Sequence, residues 1–337
     1  MKYNFDRKLG KLGPNVTPIG FGAMSLTNFY GPCNDNQAND ILNAILDLGI
    51  NHIDTSNVYG AGTSERRIGE FLAKQGKKKD DLFIIATKAA IYKDPETGIR
   101  GFNNTEKHLE DELDKSLKRL GVDCVDLFYI HRRDQKIPIE EVTQSLAKFV
   151  EKGKIKGIGF SEIAPSSLKR ASKIHHIAAV QSEYSLSTRS PEMGLVQTCN
   201  ELGTALVAFS PVGRSLLTDN PLSYEVVKEL DFTKNNPRFM ESNYYENIRL
   251  TNKFRSYASD LGFKTASLSI AWLLYKGEHI IPIPGTRSLD HLKELVMARE
   301  IDLTDKIIED LEKILPIGWA YGDRYSDAQW IGPERYC

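Results

Sequence analysis

The chain has 337 residues, 41% of them hydrophobic, and 44 Lys and Arg against 45 Asp and Glu leave a formal charge of -1. Both signs of charge are mixed along the whole length, so there is neither a basic face for nucleic acid nor an acidic tail. No run approaches the ~18 apolar residues of a membrane-spanning helix, and the start, Met1-Lys-Tyr-Asn-Phe-Asp-Arg7, lacks the apolar centre of a signal peptide, so a cytoplasmic protein is expected.

A chain of this length could hold two average domains, but one α/β barrel with insertions fills it equally well. Cys33, Cys124, Cys199 and Cys337 are far apart, with no Cys-x-x-Cys pair and no histidine at zinc spacing, so reduced thiols and no metal are expected, with Cys124 in the core.

Taken in chain order, strand-like and helical patterns alternate. Residues 17–24 form the first apolar run of strand length. The segment 35–48 then places Ile41, Leu42, Ile45 and Leu46 on one face and stops at Gly49, the pattern of an amphipathic helix. Runs 51–56 and 82–88 are the next two strands. Residues 105–120 begin at Thr105 as N-cap, align Leu109, Leu113, Leu117 and Leu120, and stop at Gly121. A fourth strand covers 125–131, and further strands cover 156–161, 179–183, 205–210 and 279–284. Helical patterns cover 139–152, 165–173, 191–202, 247–261, 288–299 and 304–315. Such alternation gives a parallel sheet, and eight units of it close a barrel.

Residues 214–247 break the rhythm, with Pro221, Pro237, three tyrosines, an Asn-Asn pair and a helix-like stretch only at 223–230. A connection this long that leaves the C-terminal face of a barrel reads as a lid over a ligand.

Seven of the eight apolar runs end in a polar residue, and in a closed parallel barrel those ends share one face. Asp54 with Tyr59, Lys88 and His131 would therefore converge, although any one of them alone reads equally as a solvated strand end. A tyrosine with a pKa of about 10 is a poor acid at neutral pH unless a cation stabilises its phenolate. Lys88 supplies that cation, Asp54 neutralises and positions it, and His131 adds a hydrogen bond to a carbonyl oxygen. The quartet suits protonation of an oxygen on which negative charge develops. It holds no nucleophile-base pair, so a cofactor must deliver the electrons.

The stretches Asp54-Thr-Ser-Asn-Val-Tyr59-Gly60, Lys88 after its strand, Tyr129-Ile-His131-Arg132-Arg-Asp134, Gly159-Phe-Ser161-Glu162, Gln181-Ser-Glu183-Tyr184-Ser185-Leu186, Phe209-Ser210-Pro211-Val-Gly213-Arg214 and Ile283-Pro284-Gly285-Thr286-Arg287 resemble the successive signatures of the aldo-keto reductase superfamily. The resemblance runs from about residue 8 to residue 325. The insert Asp231-Phe-Thr-Lys-Asn-Asn-Pro237-Arg238-Phe239 and the tail Gly322-Asp-Arg324-Tyr325 are similar to a microbial and plant subgroup.

This resemblance implies a (β/α)8 TIM barrel, a single domain over 1–337 with an N-terminal hairpin and a long loop after strand 7. It implies NADPH or NADP+ as cofactor and reversible reduction of small aldehydes or ketones, with Tyr59 as general acid, Lys88 and Asp54 tuning it, and His131 orienting the carbonyl. Ser161 and Gln181 match the contacts to the nicotinamide carboxamide, and Phe209 replaces the common stacking tyrosine. Glu162 stands where many members have asparagine. Gly22 and Met24 approach the nicotinamide ribose. Ser210, Pro211, Gly213, Arg214 and Leu216 meet the pyrophosphate under the long loop. Gly285, Thr286 and Arg287 precede a helix start suited to a 2′-phosphate. His291 and Glu294 reach the adenosine, while Leu295 replaces the usual asparagine and removes an adenine hydrogen bond.

Other features have plainer readings. His175 and His176 are neighbours that point apart on a helix, residues 74–79 form a solvated basic loop, and Gly20-Phe-Gly22 lacks the third glycine of a dinucleotide fingerprint. Trp319, Tyr321, Tyr325 and Trp330 either pack the tail or line a substrate pocket. Two other functions share these residues: a Schiff-base lyase with Lys88 as neutral nucleophile, and an NADPH-binding redox sensor or regulatory subunit with slow turnover.

Overall fold

The computed structural model describes residues 7–76, 81–94, 96, 98–335 and 337. Eight short parallel strands follow one another: β1 (Phe21–Gly22), β2 (His52–Asp54), β3 (Ile84–Ala89), β4 (Leu127–Ile130), β5 (Ile158–Ser161), β6 (Ile177–Glu183), β7 (Ala205–Phe209) and β8 (Ile280–Pro282). Each is hydrogen bonded to the next in chain order. The two ends of the sheet also meet, because the Gly20 amide donates to the Pro282 carbonyl at 3.0 Å and the Gly22 amide to the Pro284 carbonyl at 2.9 Å. The barrel expected from the alternation is therefore closed. Two layers of core result. Ala86, Leu127, Tyr129, Ala179, Val207 and Ile281 fill the interior, and the second, larger layer lies between the strands and the surrounding helices.

The N-terminal hairpin pairs Arg7 with Val16 and Lys8 with Asn15. Leu9 and Val16 from this hairpin join the interior cluster, so the hairpin plugs the barrel at the end away from the polar strand endings.

Helices α1 (Asp35–Asp47), α2 (Thr63–Gln75), α3 (Glu106–Leu120), α4 (Ile139–Glu151), α5 (Pro165–Ala171), α6 (Leu195–Leu202), α7 (Glu241–Asp260), α8 (Thr265–Tyr275), α9 (Leu289–Val296) and α10 (Asp305–Ile314) complete the fold. α1 bears out the sequence pattern: Ile41, Leu42 and Ile45 are buried, and the Asn34 side chain caps its start by accepting from the Gln37 amide. α3 ends as expected at Gly121, whose φ of 67° is easy only for glycine. Its start differs, since the Thr105 hydroxyl donates to Asn103 rather than capping the helix.

Two helices escape the sequence pattern, each for a physical reason. α8 is buried continuously from Thr265 to Leu273 and has no polar face to set a period. α2 carries the buried polar pair Ser64 and Glu65 on its inward side, which breaks the apolar stripe. α7 begins at Glu241 rather than 247, and the stretch 223–230 shrinks to one turn at Tyr224–Val227. A hairpin of Ile91–Lys93 with Arg100–Phe102, after β3, was not expected. Cys124 is half-buried rather than core. His175 and His176 lie beyond the end of α5, and of the basic run only Lys74 to Gly76 fall within the described residues. Among the described residues no group of three His, Cys, Asp or Glu is placed to hold a metal, and no helix is long and apolar enough to cross a membrane.

The closing seam leaves no room for a side chain. A Cβ on Gly22 would lie 2.7 Å from the Ile283 carbonyl oxygen. Overpacking against backbone costs roughly 1–3 kcal/mol, so Gly22→Ala is expected to lower the melting temperature by several degrees in thermal denaturation; an unchanged melting temperature would show that the seam has slack.

Candidate active site

The polar strand endings converge as the closed barrel requires. The Lys88 ammonium, fully buried on β3, pairs with Asp54 at the end of β2. It also donates to the Thr55 carbonyl at 2.7 Å and to the Tyr59 hydroxyl oxygen at 3.3 Å. The second carboxylate oxygen of Asp54 accepts from the Gln181 amide of β6 at 2.8 Å. His131, one residue past β4, places Nδ1 3.1 Å from the Ser56 hydroxyl oxygen, and its ring stands edge-on to Tyr59 at 5.8 Å between centroids.

Tyr59 is not on a strand, and the head of α2 fixes it. The chain turns through three left-handed residues, Gly60, Ala61 and Gly62, and the Ser64 amide donates to the Tyr59 carbonyl at 3.2 Å. A buried polar chain anchors this turn. Thr55 donates to Ser64 at 2.8 Å, Ser64 to the Ala23 carbonyl at 2.9 Å, and Thr87 to Glu65 at 2.5 Å, while Arg119 pairs with Glu65 at 2.6 Å. The same Ser64 and Glu65 that hid α2 from the periodicity therefore hold Tyr59 in position.

Burial works against both charged forms here, in opposite directions. Burial pulls the Lys88 ammonium down, but the Asp54 charge and the contact with Tyr59 outweigh it and hold the pKa above the ordinary lysine value. For Tyr59 burial wins: the phenol sits above its usual 10 although Lys88 pulls it down. In the free protein the net shift is thus opposite to the expected lowering, and Lys88 only reduces the rise. Burial, reinforced by Arg132 and Lys88, holds His131 well below the ordinary histidine range, so its ring is neutral at pH near 7 and can donate from one nitrogen while accepting at the other. A fully buried, paired ammonium is a poor nucleophile, which counts against the Schiff-base reading of Lys88.

A cleft of about 410 Å³ runs from this centre across the barrel face. Its walls include Tyr59 and His131 at one end and Arg287, His291 and Glu294 at the other. Gly22, Met24, Ser161, Gln181, Phe209, Ser210, Pro211, Arg214, Gly285 and Thr286 lie along it. Two expected contacts do not reach the wall. Gly213 is buried, and Leu216 packs with Val227, Phe239 and Tyr244 in a separate small core. Arg214 is on the wall, but its guanidinium is engaged: it pairs with Glu183 at 3.1 Å and lies 3.8 Å above the Phe232 ring. Arg287 donates to the Pro32 carbonyl at 3.1 Å, and α9 starts two residues later with the Ser288 hydroxyl capping the His291 amide.

Several wall residues were not singled out from sequence. Phe29 and Tyr30 follow β1, and Phe29 meets Phe232 of the long loop at 6.3 Å, so aromatic rings approach one another across the cleft. Tyr325 of the tail lines the cleft and meets Phe232 at 6.2 Å, whereas Trp319 packs inward and donates to the Leu186 carbonyl at 2.8 Å. Of the tail aromatics, Trp319 thus packs the tail and Tyr325 borders the cleft. Arg132, adjacent to His131, also borders the cleft, and its position next to a strand ending was the available signal. Backbone in the left-handed region recurs at the strand ends, at Ala90, Glu162 and Ser210.

A family model described as "Aldo/keto reductase family" matches residues 18–316. The chain is 37% identical over 319 residues to aldo-keto reductase yakc [NADP(+)] of Schizosaccharomyces pombe, covering 94% of this chain and 93% of that protein. It is 36% identical over 321 residues to probable aldo-keto reductase 1 of Glycine max, covering 94% and 91%. Among solved structures, the holo form of aldo-keto reductase AKR11C1 from Bacillus halodurans superposes with a TM-score of 0.76 at 25% identity, covering 96% of this chain and 99% of that one. Glycerol dehydrogenase AKR11B4 from Gluconobacter oxydans shares the fold with a TM-score of 0.80 at 24% identity, covering 93% and 95%.

Removing one partner of a buried ion pair costs about 3–5 kcal/mol because the other charge is stranded. Asp54→Asn should therefore destabilise the protein by about 3 kcal/mol or more in urea denaturation; a loss below about 1 kcal/mol would mean that other groups neutralise Lys88.

Proposed function

The chain belongs to the aldo/keto reductase family, and from that membership we propose that it is an NADPH-dependent reductase of aldehydes or ketones, reversible toward alcohol oxidation, with Tyr59 as the proton donor. The observation that carries this reading is one ammonium, Lys88, touching both Asp54 and the Tyr59 hydroxyl beside an open cleft.

The cleft residues fit a nicotinamide dinucleotide phosphate. Phe209 offers an aromatic face, Ser161 and Gln181 offer polar groups beside it, and Arg287 next to the start of α9 offers an anion site at the far end. The backbones of Gly22 and Gly285 meet along this wall, where a Cβ on Gly285 would lie 2.4 Å from the Gly22 carbonyl oxygen. The Schizosaccharomyces pombe relative carries NADP(+) in its name. When bound, the nicotinamide supplies the hydride.

The chain's own groups do the rest. His131, neutral, donates a hydrogen bond to the substrate oxygen and aims it at Tyr59. Tyr59 gives up its hydroxyl proton as negative charge develops on that oxygen. Lys88 stays protonated and stabilises the phenolate left behind, offsetting the rise in pKa that burial imposes. Asp54, held by Gln181, keeps Lys88 charged and in line. The segment 214–247, with Phe232 facing Phe29, covers the cofactor and gates its exchange.

In Tyr59→Phe, turnover of para-nitrobenzaldehyde should fall by at least a hundredfold or so, with NADPH affinity by fluorescence titration nearly unchanged; reduction at the parent rate would remove Tyr59 as the acid. Hydrogen bonds to a charged group contribute roughly 1.5–3 kcal/mol, so Arg287→Ala should weaken NADPH about tenfold or more and NADH little. Equal losses for both cofactors would sink the 2′-phosphate assignment.

A further inference from the structure

Arg132 occupies the cleft wall between the proton-donating centre and Ser161. Its Nη1 donates to the His131 carbonyl at 2.7 Å and to the Ser161 hydroxyl oxygen at 2.9 Å, and its Nη2 donates to the Tyr325 hydroxyl oxygen at 3.4 Å. All three acceptors are neutral. The buried carboxylates of the same layer are taken by other arginines: Glu162 by Arg324 at 2.7 Å, and Glu183 by Arg214 at 3.1 Å with Arg238 at 3.8 Å. Among the described residues Arg132 has no carboxylate partner.

The guanidinium fork makes the direction of recognition specific. With both Nη1 hydrogens and one on Nη2 engaged, the Nε hydrogen and the second Nη2 hydrogen remain, and these two can lie along one edge of the planar group. That edge is the one that grips a carboxylate or a phosphate with two parallel hydrogen bonds. Arg100, on the hairpin after β3 with its guanidinium 5.4 Å from the Phe102 ring, is a second cation outside the cleft wall. Its charge is felt at both His131 and Arg132, and it too has no carboxylate partner among the described residues.

Resting on the carbonyl-reductase reading, we propose that the substrate is an anionic carbonyl compound, an aldehyde or ketone bearing a carboxylate or phosphate, whose charged end is bound by Arg132 while Arg100 adds longer-range attraction. The anion fixes the substrate's far end. His131, the preceding residue, fixes its carbonyl. Neutral carbonyls of the same shape lose the first of these contacts and bind with higher KM.

The test uses the full chain with NADPH and two matched pairs: para-carboxybenzaldehyde against its methyl ester, and glyceraldehyde with against without a terminal phosphate. The charged member of at least one pair should have a kcat/KM about tenfold higher or more, carried by KM, and the pair that responds separates carboxylate from phosphate recognition. High salt should narrow the gap. Arg132→Met should bring the charged-to-neutral ratio toward one whatever happens to absolute rate, Arg132→Lys should retain part of it, and the exposed Arg100→Ala should reduce it modestly. Equal kcat/KM within both pairs, or a ratio that survives Arg132→Met, overturns the anion site while leaving carbonyl reduction standing. No NADPH consumption with any of the four aldehydes overturns both.

Discussion

The ion pair between Lys88 and Asp54 is the constraint around which the candidate site is organised. Two charges removed from water impose a desolvation cost of several kcal/mol each, recovered only if the remaining hydrogen-bonding capacity is used. Here it is used across the barrel. The ammonium also bonds the Thr55 carbonyl and the Tyr59 hydroxyl, and the carboxylate also bonds Gln181. Strands β2, β3 and β6 are thereby tied at one level of the interior, directly above a layer of apolar side chains. The Tyr59 hydroxyl completes the set of acceptors around the ammonium, while the head of α2 fixes the ring.

A second polar layer lies outward of the pair and serves a different end. Burial alone would raise the pKa of the Glu183 carboxyl, but Arg214, Arg324 and Arg238 outweigh it and hold the group below the ordinary carboxylate range. Arg214 and Arg238 belong to the long connection after β7 and Arg324 to the tail, so the two buried glutamates act as fixed points on the barrel to which both segments are fastened. Phe232, resting on Arg214, is positioned by the same fastening. The wall opposite β1 is built from long-range charge contacts rather than from regular secondary structure.

That distinction explains what was legible in the sequence. The eight strands are legible because buried parallel strands are continuous apolar runs, and the convergence of Asp54, Lys88 and His131 is legible because each closes such a run. α8 was invisible because a helix buried on all sides has no polar phase. α2 was invisible because Ser64 and Glu65 interrupt its inner face for the sake of the site. Leu216 was placed by resemblance on the cleft, but its side chain has a nearer apolar cluster to join. Arg214 lies on the cleft wall as expected, but its ion pair with Glu183, 31 positions away in sequence, has no local signal in the sequence. Pairings between loops carry no local period, so the pattern marks 214–247 as a lid and leaves the tail with two readings, but it does not show which side chains of either reach the cleft.

The seam between Gly22 and Pro284 carries a further implication for how the molecule comes into being. Residues at the start of the barrel find their last hydrogen-bonding partners more than two hundred positions downstream, and contacts of such separation form late because loop closure must be completed first. Asp54, Tyr59, Lys88 and His131 all emerge from the ribosome early, while the residues at the Arg287 end of the cleft and the tail emerge near the end. A nascent chain thus exposes Lys88 and Asp54 before the barrel that dehydrates them exists, and during synthesis they remain two ordinary hydrated charges. The dehydrated pair arrives only with ring closure, as a property of the finished circle and not of any arc of it.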